Sequence, residues 1–107
     1  MKLAIILNTN DPETAWNALR LAHRAVQEKD TVSVFLLGNG VELEQIQSDQ
    51  FKVQDMLKQY IEASGEILAC GTCLKSRGMT EGSQSCPASN LDTLYMLIKK
   101  SDKVLTF

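Results

Sequence analysis

Reactive side chains are concentrated in residues 69–78, which read ACGTCLKSRG and follow an apolar run. A thiol acts as a nucleophile or metal ligand only as the thiolate, and cations and free N–H groups nearby favour that form. Cationic and glycine neighbours of this kind are rarely found around thiols that serve only to fill a core. The candidate site residues in this stretch are Cys70, Gly71, Cys73, Lys75 and Arg77.

The residues before Cys70 predict a buried strand. Residues 66–69 are too few for a helix and lie between Gly65 and Gly71, so Cys70 is expected at the carboxyl end of that strand. In open α/β sheets, ligands and reactive groups gather beyond the carboxyl ends of the strands. If residues 72–77 form a short helix ended by Gly78, its first N–H groups would face the Cys70 sulfur and favour the thiolate.

The whole chain, residues 1–107, predicts one α/β domain with strands and helices in alternation. Apolar runs predict strands at 3–7, 31–37, 66–69 and 103–107, and residues 79–85 predict a loop. Apolar residues at helical spacing predict helices from Asp11 and Pro12 to about residue 28, from Phe51 to Gly65, and over residues 91–98 with Ser89 as the cap. A short helix is also expected near residues 41–47. This order favours a mostly parallel sheet between two helical layers, a three-layer α/β/α arrangement.

A flavodoxin-like strand order would place the first and third strands side by side. The loop after the first strand would then face the cysteine stretch across the crevice. On this basis Asn8, Asp11, Lys75 and Arg77 are expected to surround the sulfur of Cys70. The two cations would bind an anionic group there or stabilise negative charge on the sulfur.

Composition and charge exclude several classes of function. A formal charge of −2 without a basic cluster argues against nucleic-acid binding. The first apolar run has five residues, Leu3 to Leu7, too few for a signal peptide or a membrane span. A cytoplasmic protein is therefore expected, and in that reducing compartment cysteines serve catalysis or metal binding far more often than structural disulfides.

Three segments of the sequence resemble the DsrE/DsrF-like family: residues 10–14 (NDPET), 34–41 (VFLLGNGV) and 65–78 (GEILACGTCLKSRG). The resemblance implies a small α/β protein that assembles into trimers or hexamers and carries sulfur as a cysteine persulfide. It implies sulfur donor and acceptor proteins, or small sulfane-sulfur compounds, as partners. By position, Cys70 corresponds to the sulfur-accepting cysteine and Arg77 with Gly78 to the Arg-Gly pair of the family. Cys73 departs from the best-known relay subunits, which have no cysteine at that place.

Alternative interpretations of the cysteines remain. Cys70 and Cys73 have the spacing for a disulfide, although Gly71 and Thr72 between them differ from the thioredoxin motif. Cys86 in the following loop could resolve a persulfide or be an incidental thiol. A structural metal site in a non-catalytic module would need these three cysteines and His23, the only histidine. No cofactor is expected, because Asp11 and Glu13 would repel a phosphate at the first helix.

Two further predictions concern reactivity and assembly. Cys70, rather than Cys73 or Cys86, is expected to have the largest thiolate fraction and to be the primary sulfur acceptor, because it precedes the short helix. The chain also has more large apolar residues than one small core needs, which favours a homo-oligomer. These residues are Trp16, Phe51, Tyr60, Tyr95 and Phe107.

Overall fold

Five parallel strands form one sheet in the computed structural model, which describes residues 1–79 and 81–107. The strands are β1 (Lys2–Leu7), β2 (Thr31–Leu36), β3 (Glu66–Cys70), β4 (Ala88–Ser89) and β5 (Lys103–Thr106). The helices are α1 (Pro12–Gln27), α2 (Val53–Glu62), α3 (Gly71–Lys75) and α4 (Leu91–Lys100), and a 3₁₀ helix spans Gly38–Gln45. The predicted single α/β domain with a mostly parallel sheet and a flavodoxin-like fold is confirmed, although the order of its strands differs from the expected one.

The strand order is β4-β3-β2-β1-β5, so the predicted contact between the first and third strands is wrong. β2 lies between them: it pairs with β1 on one side and with β3 on the other. The next neighbour of β1 is instead β5, at the far end of the chain. As a result, the segment that follows β2, not the one that follows β1, is the direct neighbour of the cysteine stretch.

One face of the sheet is covered by α1 and α2, which pack against each other. Asp11 begins α1 as predicted, since its side chain accepts the N–H of Thr14 at 2.9 Å and Pro12 occupies the first turn. The apolar stripes are buried as the spacing predicted. Their buried members are Ala15, Ala18, Leu19, Ala22 and Ala25 in α1 and Val53, Met56, Leu57 and Tyr60 in α2.

Tyr60 anchors the connection from α2 to β3. Its ring is fully buried, and its hydroxyl donates to the carbonyl oxygen of Glu66 at 2.8 Å. Gly65 lies against the face of this ring, where a Cβ would overlap the ring carbons. The residue with positive φ here is Ser64, so Gly65 serves close packing and not the left-handed cap that the sequence predicted.

The second face of the sheet is covered by α4. The connection from β4 to β5 runs in the opposite direction along the sheet from the earlier connections, so a right-handed crossover places its helix on the face opposite to α1 and α2. The predicted apolar stripe is present in α4, but only its residue Leu94 is buried. Leu91 and Tyr95 are 60% and 62% exposed, and all four residues of β5 are exposed. The capping residue is Asn90, whose side chain accepts the N–H of Thr93, and not Ser89 as predicted.

The segments between the main elements agree in part with the sequence. The short helix expected near residues 41–47 is the 3₁₀ helix, which begins three residues earlier, at Gly38. In the predicted loop 79–85, residue 80 lies outside the described residues, and the others form neither helix nor strand. Among the helices of the described residues, none combines the length and hydrophobicity needed to cross a bilayer.

Candidate functional site

Cys70 is the last residue of β3, as predicted, and lies between the ends of two neighbouring strands. Ala69 pairs with Leu36 of β2 on one side, and Cys70 pairs with Ser89 of β4 on the other. The side chain is thereby only 3% exposed. Gly71 follows directly because a Cβ at this position would lie 2.9 Å from the carbonyl oxygen of Ser89.

The expected activation of Cys70 is not found, because burial raises the pKa of its thiol. The N–H groups of Cys73 and Thr72 act in the opposite direction and lower the pKa, but neither forms a well-shaped hydrogen bond with the sulfur. The adjacent Cys73 thiol raises the pKa further. The Cys73 thiol is thus close enough to affect the ionisation of Cys70, and both thiols are free.

Cys73 lies in α3 and is only partly buried. Its Sγ accepts a hydrogen bond from the backbone N–H of Gly38 at a donor to acceptor distance of 3.2 Å. Gly38 begins the 3₁₀ helix that follows β2 and lies 35 residues away in sequence. An N–H aimed at a sulfur favours the charged form of that sulfur, so this segment contributes an anion-stabilising group to the site.

The position of Gly38 depends on the absence of a side chain. Its φ is +50°, and a Cβ would lie 2.5 Å from the Oδ1 of Asn8. The Asn8 side chain therefore packs against the glycine that donates to Cys73. The predicted site residue Asn8 therefore approaches the cysteine stretch by packing against Gly38. Its own strand, β1, does not pair with β3.

Arg77 ties the cysteine helix to the 3₁₀ helix. Its Nη1 donates to the carbonyl oxygen of Cys73 at 3.0 Å, its Nε to Glu42 at 2.9 Å and its Nη2 to Asn39 at 2.7 Å. Glu42 also accepts a hydrogen bond from the side-chain amide of Asn10 at 3.2 Å. The hydrogen bonds from Arg77 and Asn10 lower the pKa of Glu42. Arg77 is therefore engaged by the protein's own groups.

Among the described residues, the side chains of the other two predicted polar residues form no hydrogen bond with the cysteines. Lys75 is exposed, and the described part of the chain offers it no ion pair or hydrogen bond. Asp11 is occupied with capping, and its hydrogen bonds from Thr14 lower its pKa. The predicted ring of Asn8, Asp11, Lys75 and Arg77 around Cys70 therefore has no support in these contacts.

Cys86 is buried, 4% exposed, and not in an accessible loop as expected. Burial, the charge of Glu44 and a hydrogen bond to Glu44 raise the pKa of Cys86 to about 12. Ser83 bridges the same segment, since its hydroxyl donates to Glu44 and accepts the N–H of Cys86. A thiol with such a high pKa is a poor nucleophile at neutral pH.

The metal alternative lacks a set of ligands. Across residues 1–79 and 81–107, no group of three or more His, Cys, Asp or Glu side chains could hold a metal ion. His23 is in the middle of α1, on the helix that packs against α2. A structural site built from the three cysteines and this histidine therefore has no basis in the geometry.

Sequence reasoning missed Gly38, Asn39 and Glu42. The first two belong to residues 34–41, which carried the family resemblance but were not predicted to be part of the site. The signal that could have found them is the strand order. Had β2 been placed next to β3, the residues after β2 would have been expected beside the residues after β3.

The sequence profile of the DsrE/DsrF-like family matches residues 1–107, the whole chain. The chain belongs to the DsrE/DsrF-like family. It is 36% identical over 115 residues to MJ0989, an uncharacterized protein of Methanocaldococcus jannaschii, with all of both chains covered. It is 34% identical over 100 residues to MK0008, an uncharacterized protein of Methanopyrus kandleri, covering 89% of this chain and 83% of that protein.

Solved structures agree with this DsrE/DsrF-like assignment. The crystal structure of YchN from E. coli superposes with a TM-score of 0.84 and 25% identity, covering 100% of both chains. The structure of BT1422, a conserved protein of unknown function from Bacteroides thetaiotaomicron, gives a TM-score of 0.76 and 21% identity. That match covers 99% of this chain and 94% of BT1422, and it supports the fold.

Arg77→Gln is expected to lower the free energy of unfolding of this DsrE/DsrF-like protein by about 1–2 kcal/mol, because hydrogen bonds from Arg77 to Cys73, Asn39 and Glu42 are lost from a partly buried position. Lys75→Gln is the matched control and is expected to change stability by less than about 0.5 kcal/mol. Urea denaturation followed by circular dichroism measures both. Equal effects of the two substitutions would contradict the clamping role of Arg77.

Proposed function

We propose that the protein is a sulfur-transfer protein that holds sulfane sulfur as a persulfide on Cys70, with Cys73 as the second thiol of the site. The observation that carries the proposal is the pair of free, neighbouring thiols at the carboxyl end of a buried strand. Family membership supports a role related to sulfur relay. The free thiols also fit the reducing cytoplasm, where we place the activity.

The proposed reaction moves a sulfur atom without changing its oxidation state. A cysteine thiolate of the site attacks the outer sulfur of a persulfide donor, the S–S bond of the donor breaks, and the donor leaves as a thiolate. A thiolate on an acceptor then attacks the outer sulfur of the protein persulfide in the same manner. The partners are sulfur donor and acceptor proteins or small sulfane-sulfur compounds, and the step needs no cofactor.

A second candidate function is thiol-disulfide exchange, which the proximity of the two thiols favours. If Cys73 attacks the inner sulfur of a persulfide on Cys70, a Cys70–Cys73 disulfide forms and HS⁻ leaves. The two electrons released by disulfide formation then reside on the sulfide. A protein that acts mainly in this way would release sulfide, whereas a sulfur carrier retains the sulfane sulfur.

Sulfur loading is the direct test of the proposed function. After incubation with cysteine persulfide, we expect the intact mass under non-reducing conditions to increase by one sulfur atom and to return to its starting value on reduction. The double variant Cys70→Ser, Cys73→Ser is expected to show no increase, whereas Cys86→Ser should load as the wild type does. Wild-type protein that gains no sulfur, or a double variant that still loads, would contradict the proposal.

We also propose that the chain assembles into a homo-oligomer, a trimer or hexamer by family resemblance, through the apolar surface formed by α4 and β5. Exposed apolar side chains on adjoining elements are typical of protein interfaces. β5 is also an edge strand, whose outer N–H and C=O groups are open to pairing. The exposed large apolar residues of the two elements are Leu91, Tyr95, Met96 and Ile98 in α4 and Val104 and Leu105 in β5.

Of the five large apolar residues that led us to expect an oligomer, only Tyr95 is largely exposed in the single chain. Tyr60 is fully buried in the core of a single chain, and Trp16 packs on Phe51 with ring centroids 5.5 Å apart. Phe107 is partly buried against the same core. The support for assembly therefore comes from the surface of α4 and β5.

A further inference from the structure

We propose that Cys73 takes the sulfur atom from the donor, and that Cys70 then receives it from Cys73 and stores it. This inference rests on the proposed function and assigns different roles to the two thiols. It reverses the order expected from the sequence, in which Cys70 meets the donor first.

Access to the two sulfur atoms differs. A donor must approach the attacking sulfur along the axis of the S–S bond that breaks, so that sulfur has to be reachable from solvent. Cys70 is 3% exposed and enclosed by the strand ends of β2 and β4. Cys73 is partly exposed on α3. A donor therefore meets Cys73 before it can meet Cys70.

The hydrogen bonds to the two sulfur atoms also differ. Cys73 accepts the N–H of Gly38 at 3.2 Å, and the Asn8 side chain packs against this glycine. Among the described residues, Cys70 has no hydrogen bond of comparable geometry. The Gly38 N–H stabilises negative charge on Cys73 both when its thiolate attacks and when it later leaves.

Arg77 holds the Gly38 N–H close to the Cys73 sulfur. It binds the carbonyl oxygen of Cys73 and, through Glu42 and Asn39, the 3₁₀ helix that begins at Gly38. The donor N–H and the acceptor sulfur thus lie on two segments that one side chain joins. Arg77 is in this respect a positioning residue and makes no contact with the sulfur itself in the described geometry.

The two transfers balance without an oxidant. In the first, the Cys73 thiolate attacks the outer sulfur of a persulfide R–S–SH, the S–S bond of the donor breaks, and RS⁻ leaves and takes a proton from water. In the second, the Cys70 sulfur attacks the outer sulfur of the Cys73 persulfide and the Cys73 thiolate leaves. The proton lost by Cys70 goes to Cys73, and the sulfane sulfur keeps its oxidation state throughout.

Storage at Cys70 has a physical advantage over storage at Cys73. The enclosure that keeps a donor from Cys70 also keeps stray thiols from a persulfide on it. We therefore expect a persulfide on Cys73 alone to be lost faster than the persulfide of the wild-type protein.

The test is the rate of loading by cysteine persulfide, followed by intact mass. We expect Cys73→Ser to load at least about tenfold more slowly than the wild type, because the accessible thiol is gone. Cys70→Ala is expected to load at close to the wild-type rate and to lose the sulfur at least about tenfold faster when glutathione is added. Cys86→Ser is the matched control and should follow the wild type in both measurements.

A second measurement does not depend on the variants. In unmodified wild-type protein at neutral pH, iodoacetamide is expected to label Cys73 before Cys70, as peptide mapping would report. Faster labelling of Cys70, or a Cys73→Ser protein that loads at the wild-type rate, would overturn the assignment. Wild-type protein that takes up no sulfur would instead reject the proposed function, so the two failures are distinguishable.

Discussion

Gly40→Ala is expected to lower the free energy of unfolding by about 3 kcal/mol or more, because a Cβ at this position would overlap the backbone carbonyl oxygen of Leu7. The overlap involves backbone at the end of a central strand, so no side-chain rotation can relieve it. The N–H of Gly40 donates to the carbonyl oxygen of Leu37 at 2.7 Å, and this turn would have to open as well. Urea denaturation measures the change.

Gly78→Ala is the matched control for this substitution. Gly78 has a φ of +69°, but a Cβ there meets no atom of the described residues within 4 Å, so the backbone conformation is what opposes the substitution. We expect a loss of about 1–2 kcal/mol. If Gly40→Ala proved no more destabilising than Gly78→Ala, the close approach of the two chain segments at Leu7 would be in doubt.

Tyr95→Glu is expected to convert the assembled protein largely to monomer. Tyr95 is 62% exposed in the single chain, the most exposed large apolar side chain of α4, and burying a carboxylate in an apolar interface is unfavourable. Light scattering at micromolar concentration should show the oligomer mass for the wild type and the monomer mass for the variant. The monomer should remain folded, because Tyr95 contributes little to the core.

Gln59→Glu provides the control, since it introduces the same carboxylate at an exposed position of α2 on the other side of the sheet. Its mass should equal that of the wild type. A wild-type protein with the mass of a monomer would reject the homo-oligomer. An oligomer that is unaffected by Tyr95→Glu would place the interface on another surface.

Features that depend on neighbouring residues in the sequence were predicted well. Asp11 with Pro12 begins α1, and β3 ends at Cys70, because caps, prolines and short apolar runs act locally. The stripe of α2 was also correct. The cap of α4 was predicted one residue too early, because Ser89 and Asn90 are adjacent and both residue types can cap a helix. The structure has Asn90 as the cap.

Features that depend on distant segments were not predicted. Crossover connections are long enough to reach either side of a strand, so nothing local shows that β2 separates β1 from β3. The raised pKa of Cys70 has the same origin, since the strands that bury it end at Leu36 and Ser89. The sequence around Cys70 contains the groups that favour a thiolate, but not the neighbours that remove water from it.

The strand pairing at Cys70 has a consequence for measurements at different protein concentrations. Cys70 pairs with Ser89, and Leu91 begins α4 only two residues later with 60% of its surface exposed. An assembly through α4 would therefore set a second chain close to the carboxyl edge of the sheet, where the thiols lie. By mass action, dilution would then uncover that edge. The rate constant for labelling of Cys73, expressed per chain, should therefore rise as the protein is diluted through the concentration range in which the oligomer dissociates. A thiol site remote from the assembly surface would instead react at the same rate at every concentration.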